Sequence, residues 1–159
     1  MDQLLYLTHR IPYPPNKGDK IRSYHLLKYL AQHYHVQLGT FIDDPDDWKY
    51  VNTVRQLCEE THFASLNPST ARLRSLGALM MNRPLTLDYY RNNGLQEWVK
   101  KVIKTQAIKH VLIFSSAMAQ YVTNIQQARC ISDFGDIDSD KRLQYTKKKP
   151  RHMICAYQH

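Results

Sequence analysis

Polar and charged side chains follow short apolar segments at three points in the sequence, and their types suit binding or catalysis. His9 and the loop 14–19 follow the first apolar segment, Ser115 and Ser116 follow a later one, and an aspartate-rich stretch, 133–140, follows the last. In parallel α/β folds, ligands bind outside the carboxyl ends of the strands. We therefore expect these stretches to lie along one edge of a sheet.

The loop after the first apolar segment has the composition of an anion site. It reads Pro14-Pro15-Asn16-Lys17-Gly18-Asp19 and leads into a segment with helical periodicity. Gly18 would let backbone amides approach an anion, and the dipole of the following helix would favour a phosphate there. Lys17, Lys20 and Arg22 add positive charge. The patterns of a P-loop and of a dinucleotide fingerprint are both missing, so a rigid connector with a helix cap stays an equal alternative.

The other two stretches offer hydroxyls and carboxylates. Ser115 and Ser116 could bind sugar hydroxyls or phosphates, with helix capping as the alternative, and no nucleophile elbow surrounds them. Asp136 and Asp138 could accept a proton, hydrogen-bond a sugar or hold a divalent cation, although the glutamate that completes an EF-hand loop is missing. His9 would titrate near neutral pH and could contact an acceptor, or it has a structural role.

The alternation of strand and helix patterns predicts an α/β fold with a parallel sheet in the order 3-2-1-4-5. Apolar runs place strands at 4–7, 36–42, 62–64, 111–114 and 130–134. Helices are expected over 19–33, after the capping pairs Asp44-Pro45 and Asn67-Pro68, and after Gly94. Trp48, Val51, Val54 and Cys58 are expected to face inward in the helix after Asp44-Pro45, as are Leu95, Trp98, Val99 and Val102 in the helix after Gly94. The helix 19–33 has Ile21, Tyr24, Leu27 and Ala31 on one face, flanked by Leu26 and Leu30, and the helix after Asn67-Pro68 carries Leu73, Leu76 and Leu79.

Composition limits the class of protein. The chain has 159 residues, 43% of them hydrophobic, which predicts one globular domain rather than a disordered chain. The formal net charge of +8 is partly concentrated in the last residues, without the basic stripe and interleaved aromatics of a nucleic-acid-binding surface, which argues against nucleic acid as a partner. Three widely spaced cysteines indicate no disulfide framework, and His33 and His35 have no nearby third ligand for a metal.

The location is expected to be cytoplasmic. No apolar stretch approaches the length of a membrane span, and the first residues lack the basic start of a signal peptide. A basic face would help such a protein to reach membrane-bound acceptors, which predicts a peripheral position at the inner membrane surface.

Four segments together resemble a bacterial family 4 glycosyltransferase, within the subgroup associated with exosortase and exopolysaccharide gene clusters. They are YLTHRIPYPPNKGDKIRS at 6–23, LGTFIDDPDDW at 38–48, FSSAMAQY at 114–121 and DIDSDK at 136–141. The resemblance covers the chain from Leu4 to about Tyr145. It implies the GT-B architecture, in which two Rossmann-like domains face a cleft, with residues 4–145 as the N-terminal, acceptor-side domain. Residues 146–159 are expected to form a divergent basic tail without order.

The same resemblance implies a function and its residues. The reaction is sugar transfer from a nucleotide-sugar donor to a glycan or lipid-linked acceptor, without a metal or another cofactor. Lys17, Gly18 and Asp19 match the loop that approaches the donor diphosphate. Ser115 and Ser116 match acceptor-binding positions, and His9, Asp136 and Asp138 match candidate catalytic positions.

The final part of the sequence departs from the family pattern. Arg142 and Arg151 stand where aromatics are expected, and no donor-binding second domain follows. We therefore expect a truncated enzyme that is inactive alone, and an exposed docking face for the missing C-terminal domain or for a second copy of the chain. The alternative function is a non-catalytic α/β binding or interaction module.

Overall fold

The computed structural model describes residues 1–80, 85–123, 125 and 128–133. Five strands alternate with helices along this part of the chain. The strands are β1 (Asp2–Thr8), β2 (Tyr34–Ile42), β3 (Glu60–Ser65), β4 (His110–Phe114) and β5 (Arg129–Asp133). The α-helices are α1 (Gly18–His33), α2 (Val51–Arg55), α3 (Pro68–Met80), α4 (Leu85–Tyr89) and α5 (Asn93–Thr105), and two 3-10 helices span Pro45–Tyr50 and Ser116–Val122.

The strands form one parallel sheet in the order β3-β2-β1-β4-β5, as the sequence predicted. The register places Thr8 of β1 beside Thr40 of β2 and Phe114 of β4. All carboxyl ends therefore lie along one edge. Because the chain steps to one side of β1 for β2 and β3 and to the other side for β4 and β5, the order reverses between β1 and β4. The architecture is Rossmann-like α/β.

Helices cover both faces of the sheet. One core joins α1 and α2 to the sheet through Leu27, Leu30, Val51 and Val54, which pack with Tyr6 and other strand residues. The opposite core joins α5 and the 3-10 helix Ser116–Val122 to the other face of the same strands. The inward face predicted for α5 is confirmed, since it consists of Leu95, Trp98, Val99 and Val102. Among the described helices, none is long and apolar enough to cross a membrane.

Glycine is required at one position of the sheet. A Cβ added to Gly39 in β2 would lie 2.8 Å from Leu7 Cδ2, 2.9 Å from Trp98 Cζ3 and 3.0 Å from Leu95 Cδ1. These distances are shorter than van der Waals contact, so any side chain would push α5 away from the sheet. The missing side chain thus allows α5 to pack closely over the centre of the sheet.

The face of α1 that packs inward matches the predicted apolar face only in part, because Leu27 and its neighbour Leu30 are buried but Ile21 is not. Ile21 is 42% exposed, whereas Lys20 and Ser23 are buried together with Leu27 and Leu30. The Lys20 ammonium group pairs with Asp47 of the 3-10 helix at 2.6 Å. The apolar pattern of α1 was misleading because a buried ion pair takes positions that hydrophobic periodicity assigns to apolar side chains.

The inward set predicted after Asp44-Pro45 is confirmed only in part, because Val51 and Val54 are buried but Trp48 is exposed, and two leucines of α3 are exposed as well. Trp48 is 45% exposed, and Leu73 and Leu76 of α3 are 72% and 59% exposed. The predicted helix N-termini at Asp44 and Asn67 are confirmed, because their carboxylate and amide oxygens accept hydrogen bonds from the backbone N–H groups of Asp46 and Ser69. Local capping is set by adjacent residues, whereas the direction that a helix faces depends on distant packing.

Candidate functional site

The candidate site lies at the carboxyl edge of the sheet, where the strand order reverses between β1 and β4. His9 follows β1, Ser115 follows β4, and α1 begins over the same edge at Gly18. The His9 ring lies parallel to the ring of Phe114, the last residue of β4, with 6.1 Å between centroids. In open parallel sheets, this reversal leaves a crevice between adjacent loops, which is the usual ligand position.

An arginine that the sequence analysis did not single out connects two carboxylates at this edge. Arg10 Nη2 lies 2.8 Å from Asp43 Oδ2, and Arg10 Nη1 lies 3.0 Å from Asp19 Oδ2. Asp43 follows β2, so the guanidinium group ties the end of β2 to the first turn of α1. Arg10 loses hydration on partial burial, yet its pKa is raised because the two carboxylates stabilise the cation.

His9 extends the same network. Its Nε2 lies 3.3 Å from Asp19 Oδ2, while Nδ1 is buried and meets no hydrogen-bond partner among the described residues. Burial lowers the pKa of His9, although Asp19 opposes that shift and the nearby Phe114 backbone also favours a protonated ring. The neutral ring is then the favoured form at neutral pH, with Nε2 directed at Asp19.

This arrangement makes His9 poorly suited to act as a general base. A base needs an accessible lone pair within hydrogen-bond reach of the proton it takes. Nε2 is occupied by Asp19, and Nδ1 has no solvent-accessible surface. The geometry assigns His9 the role of holding the Asp19 carboxylate, whichever ligand binds above it.

The start of α1 is the part of the site open to an anion. Lys17 and Gly18 are exposed, and no described atom lies within 4 Å of a Cβ built on Gly18. Partial burial of Asp19 opposes its ionisation. Its pKa is nevertheless lowered, because the carboxylate is stabilised by Arg10, by the backbone N–H groups of Lys20 and Asp19, and by His9. With His9 neutral, Arg10, Asp19 and Asp43 sum to a charge of −1. A phosphate would therefore meet favourable charge only on the Lys17 and Gly18 side.

Two of the cations expected to help bind a phosphate are engaged elsewhere. Lys20 is 2% exposed and paired with Asp47, so it cannot reach a ligand. Arg22 pairs with Asp133 at the end of β5, at 2.8 Å, and lies over the Phe114 ring. Of the predicted basic cluster, Lys17 and Arg22 are exposed, and Arg22 already has a carboxylate partner.

The two serines after β4 differ in exposure and backbone. Ser116 is exposed, whereas Ser115 is half-buried with φ of 93° and ψ of 134°. Residues other than glycine rarely adopt this conformation, which costs energy that the surrounding structure must offset. In the described part of the chain, the Ser115 side chain does not cap the 3-10 helix Ser116–Val122. Its hydroxyl is thus not committed to the capping role that was the alternative.

Tyr90 covers the His9 side of the site and was not expected there. Its ring meets the edge of His9 at a centroid distance of 6.0 Å and that of Phe41 at 5.5 Å. Burial raises the pKa of Tyr90 to about 12, so the phenol stays protonated at neutral pH. Beyond Phe41 lies a cavity of about 150 Å³, lined by polar and basic side chains that include Asn67, Arg74 and Arg91.

Asp136 and Asp138 lie outside the described residues, as do Ser139 and Asp140. Within the residues that are described, no group of three or more histidine, cysteine, aspartate or glutamate side chains is placed to hold a metal ion. The structure thus brings together His9, Asp19 and Ser115 and separates Lys20 from the other predicted site residues.

The residues that sequence reasoning missed carry a recognisable signal. Arg10 and Asp43 are charged residues directly after two neighbouring parallel strands, as His9 is. A predicted sheet order places the ends of β1 and β2 side by side, so charges of opposite sign at those ends predict an ion pair. Tyr90 has no such signal, because its position depends on how the segment before α5 folds back over the sheet edge.

Comparisons of the chain with protein-family models, with curated proteins and with solved structures return no match. The fold and the site geometry are therefore what the structure contributes toward a function.

Proposed function

We propose that this chain is the N-terminal, acceptor-side domain of a GT-B glycosyltransferase of family 4, within the exopolysaccharide-associated subgroup. It would transfer sugar from a nucleotide-sugar donor to a glycan or lipid-linked acceptor, in the cytoplasm at the inner membrane surface. Turnover would need a donor-binding second domain, supplied by a C-terminal domain or a second copy. No metal or other cofactor takes part in this proposal.

The observation that carries the proposal is the convergence of polar groups from two loops, the one after β1 and the one after β4, at the reversal point of the sheet. His9 after β1, Ser115 after β4 and the exposed start of α1 at Lys17 and Gly18 all lie at this edge. The same residues fall within the segments that resemble the glycosyltransferase family. A crevice at this point suits a ligand that carries both a phosphate and a neutral polar group.

The charges suggest a division of roles within the site. Lys17 and the backbone N–H of Gly18 would approach the donor diphosphate, because they lie outside the negatively charged network. Asp19 would act indirectly, since Arg10 and His9 already bind its carboxylate. Ser115 and Ser116 would hydrogen-bond acceptor hydroxyls, and Asp136 and Asp138 stay candidates for catalysis. Rate enhancement would come from positioning the two substrates and stabilising the departing diphosphate.

A titration with nucleotide sugars tests the proposal. Backbone amide resonances of the ¹⁵N-labelled chain are followed while uridine- and guanosine-diphosphate sugars are added, with inorganic pyrophosphate as the phosphate-only comparison. We expect saturable shifts of the Gly18 amide at millimolar concentration, because residues 4–145 would supply only part of the donor contacts. Lys17→Ala should weaken binding, whereas Lys28→Ala, which removes an exposed charge from the same helix, should not.

Other outcomes point to the alternatives. No response to any nucleotide sugar, or equal weakening by the Lys17 and Lys28 variants, would contradict a diphosphate site at this loop. Binding to any polyanion with steep salt dependence would indicate non-specific charge attraction. Specific capture of another protein, insensitive to sugar nucleotides and salt, would favour an interaction module.

A further inference from the structure

The cavity beside Phe41 lies at the same edge of the sheet as the candidate site, but none of the proposed roles uses it. Phe41 near the end of β2 and Ser65 at the end of β3 both line it. Its volume of about 150 Å³ has room for several water molecules, and therefore for a polyatomic group of a ligand. Among the described residues, its lining includes two arginines and two asparagines but no carboxylate: Arg74, Arg91, Asn67 and Asn92.

Arg74 is held in place and still has donors to offer. Its Nε donates to the backbone carbonyl of Asp88 at 2.9 Å, and its Nη2 donates to that of Tyr89 at 3.1 Å. These bonds use two of the five N–H donors of a guanidinium group. The group is thus oriented before any ligand arrives, and its other donors can bind an oxyanion without further ordering.

Arg91 supplies a second positive charge to the same cavity. Its Nη1 lies 3.9 Å from Asp88 Oδ1, which is beyond hydrogen-bond distance. With Asp88 counted as −1, the two arginines and this carboxylate sum to a charge of +1. Burial raises the pKa of Tyr121 to about 12, and Arg74 and Arg91 both oppose that rise, so the two cations act on one region.

The two asparagines can contribute only donors. The amide oxygen of Asn67 accepts a hydrogen bond from the N–H of Ser69, and that of Asn92 accepts one from the N–H of Leu95. Since each oxygen is engaged at a helix start, what each amide can offer a ligand is its NH₂ group. Neither NH₂ group hydrogen-bonds to another described residue. The cavity therefore combines positive charge with neutral donors, which favours an anion.

We propose that this cavity binds the acidic group, a carboxylate or a phosphate, of a sugar acceptor. Guanidinium groups pair with such oxyanions through two parallel hydrogen bonds, and the amide donors suit further oxygens of the same ligand. A neutral sugar would leave two arginines without a counterion. The inference rests on the proposed function, because the Tyr90 ring contacts both Phe41 and His9, so that a sugar held here would extend along the edge toward the reaction site.

A titration with four small probes tests this site on the full ¹⁵N-labelled chain. The probes are glucuronate, glucose 6-phosphate, glucose and inorganic phosphate, at constant ionic strength, and the backbone amide resonances of Thr70 and Asn92 are followed. We expect saturable shifts at millimolar concentration with an acidic sugar and none with glucose. A response to glucuronate alone assigns a carboxylate to the acceptor, and a response to glucose 6-phosphate alone assigns a phosphate.

Variants of Arg91 separate this site from general attraction to a basic protein. Arg91→Gln should weaken binding of the acidic sugar about tenfold, because it removes a charged donor group. Arg91→Lys should recover only part of that loss, since it restores the charge without the paired donors. The matched control, Arg72→Gln, removes an exposed arginine of α3 that does not line the cavity, and it should leave binding unchanged. Because both side chains are exposed, all three variants should keep the wild-type melting temperature.

Three results would overturn the proposal: no shift with either acidic sugar, equal binding of glucose and the acidic sugars, or equal weakening by Arg91→Gln and Arg72→Gln. Inorganic phosphate that binds as tightly as glucose 6-phosphate would also overturn it, because the sugar would then contribute nothing. The nucleotide-sugar titration reports on Gly18 instead. A silent Gly18 amide beside responding Thr70 and Asn92 amides contradicts the donor site alone, and the reverse pattern contradicts the acidic-sugar site alone.

Discussion

The buried pair Lys20–Asp47 offers the sharpest test of how α1 is held in place. The side chains are 2% and 9% exposed, and Lys20 Nζ lies 2.6 Å from Asp47 Oδ2. Lys20→Met keeps the length of the side chain and leaves the Asp47 carboxylate buried without its cation. Removing one partner of a buried pair costs about 3–5 kcal/mol. For a chain of this size, that loss corresponds to a decrease of about 6–20 °C in melting temperature.

The magnitude of the coupling comes from the double variant. Asp47→Leu alone should also destabilise the fold, because the ammonium group is then left buried and unpaired. Lys20→Met combined with Asp47→Leu removes both charges, and we expect its free energy of unfolding to lie within about 1 kcal/mol of the wild-type value or above it. The sum of the two single losses would then greatly exceed the loss in the double variant.

Urea denaturation followed by circular dichroism measures all four proteins of this cycle. The matched control is the pair Lys100–Glu97, which has a similar distance of 2.8 Å but side chains that are 56% and 72% exposed. Its coupling should be at most about 1 kcal/mol, because solvent screens the charges. If the Lys20 and Asp47 losses are additive, or no larger than those of the control pair, the reasoning from burial is refuted.

Six further variants, at five positions, test packing, capping and titration. Gly39→Ala should lower the free energy of unfolding, measured by urea denaturation, by about 1–3 kcal/mol, because the added methyl group would overlap α5. The control Gly18→Ala adds its methyl group in open space at the start of α1 and should leave the free energy of unfolding unchanged or raise it. Asn92→Ala should cost about 1 kcal/mol, because the Asn92 amide oxygen accepts a hydrogen bond from the N–H of Leu95 at the start of α5; recovery of that loss in Asn92→Ser would identify capping as the cause. Burial lowers the pKa of His9 in the folded protein, so below about pH 6.5 the unfolded chain binds more protons than the folded one. The free energy of unfolding should therefore decrease as the pH falls from about 6.5 to the pKa of His9 in the folded protein. His9→Gln should flatten this part of a plot of melting temperature against pH. The lowered pKa of Asp19 contributes stability above about pH 4 that is lost as the pH falls through the folded pKa; Asp19→Asn should remove this acid-side loss, and an unchanged profile would contradict the Arg10–Asp19 contact.

Element order and sheet topology could be predicted from the sequence for a physical reason. Short apolar runs followed by helical periodicity dictate parallel strands with crossover helices, and right-handed crossovers leave few arrangements. The caps at Asp44 and Asn67 depend on neighbouring residues, so they were also predictable. The same logic placed His9 and Ser115 together at the carboxyl edge, because the order of strands determines which loops meet.

The faces of the helices could not all be predicted in this way. Lys20 and Asp47 are distant in sequence, and only their packing shows that each charge has a buried partner. Leu73 and Leu76 have a spacing that is typical of a core face, but α3 packs through Ala71 instead. The pattern of one helix does not specify which of its faces meets the sheet when two faces carry suitable residues.

The sequence by itself determined the strands, the crossovers and the edge at which His9, Gly18 and Ser115 lie, because these follow from local periodicity and chain connectivity. Tertiary structure alone decided the state of the groups at that edge. Arg10 joins Asp19 to Asp43, and the partly buried ring of His9 lies parallel to Phe114 with Nε2 directed at Asp19. Charge state and accessibility depend on desolvation and on partners brought together by folding, and neither is a property of a residue within its own segment.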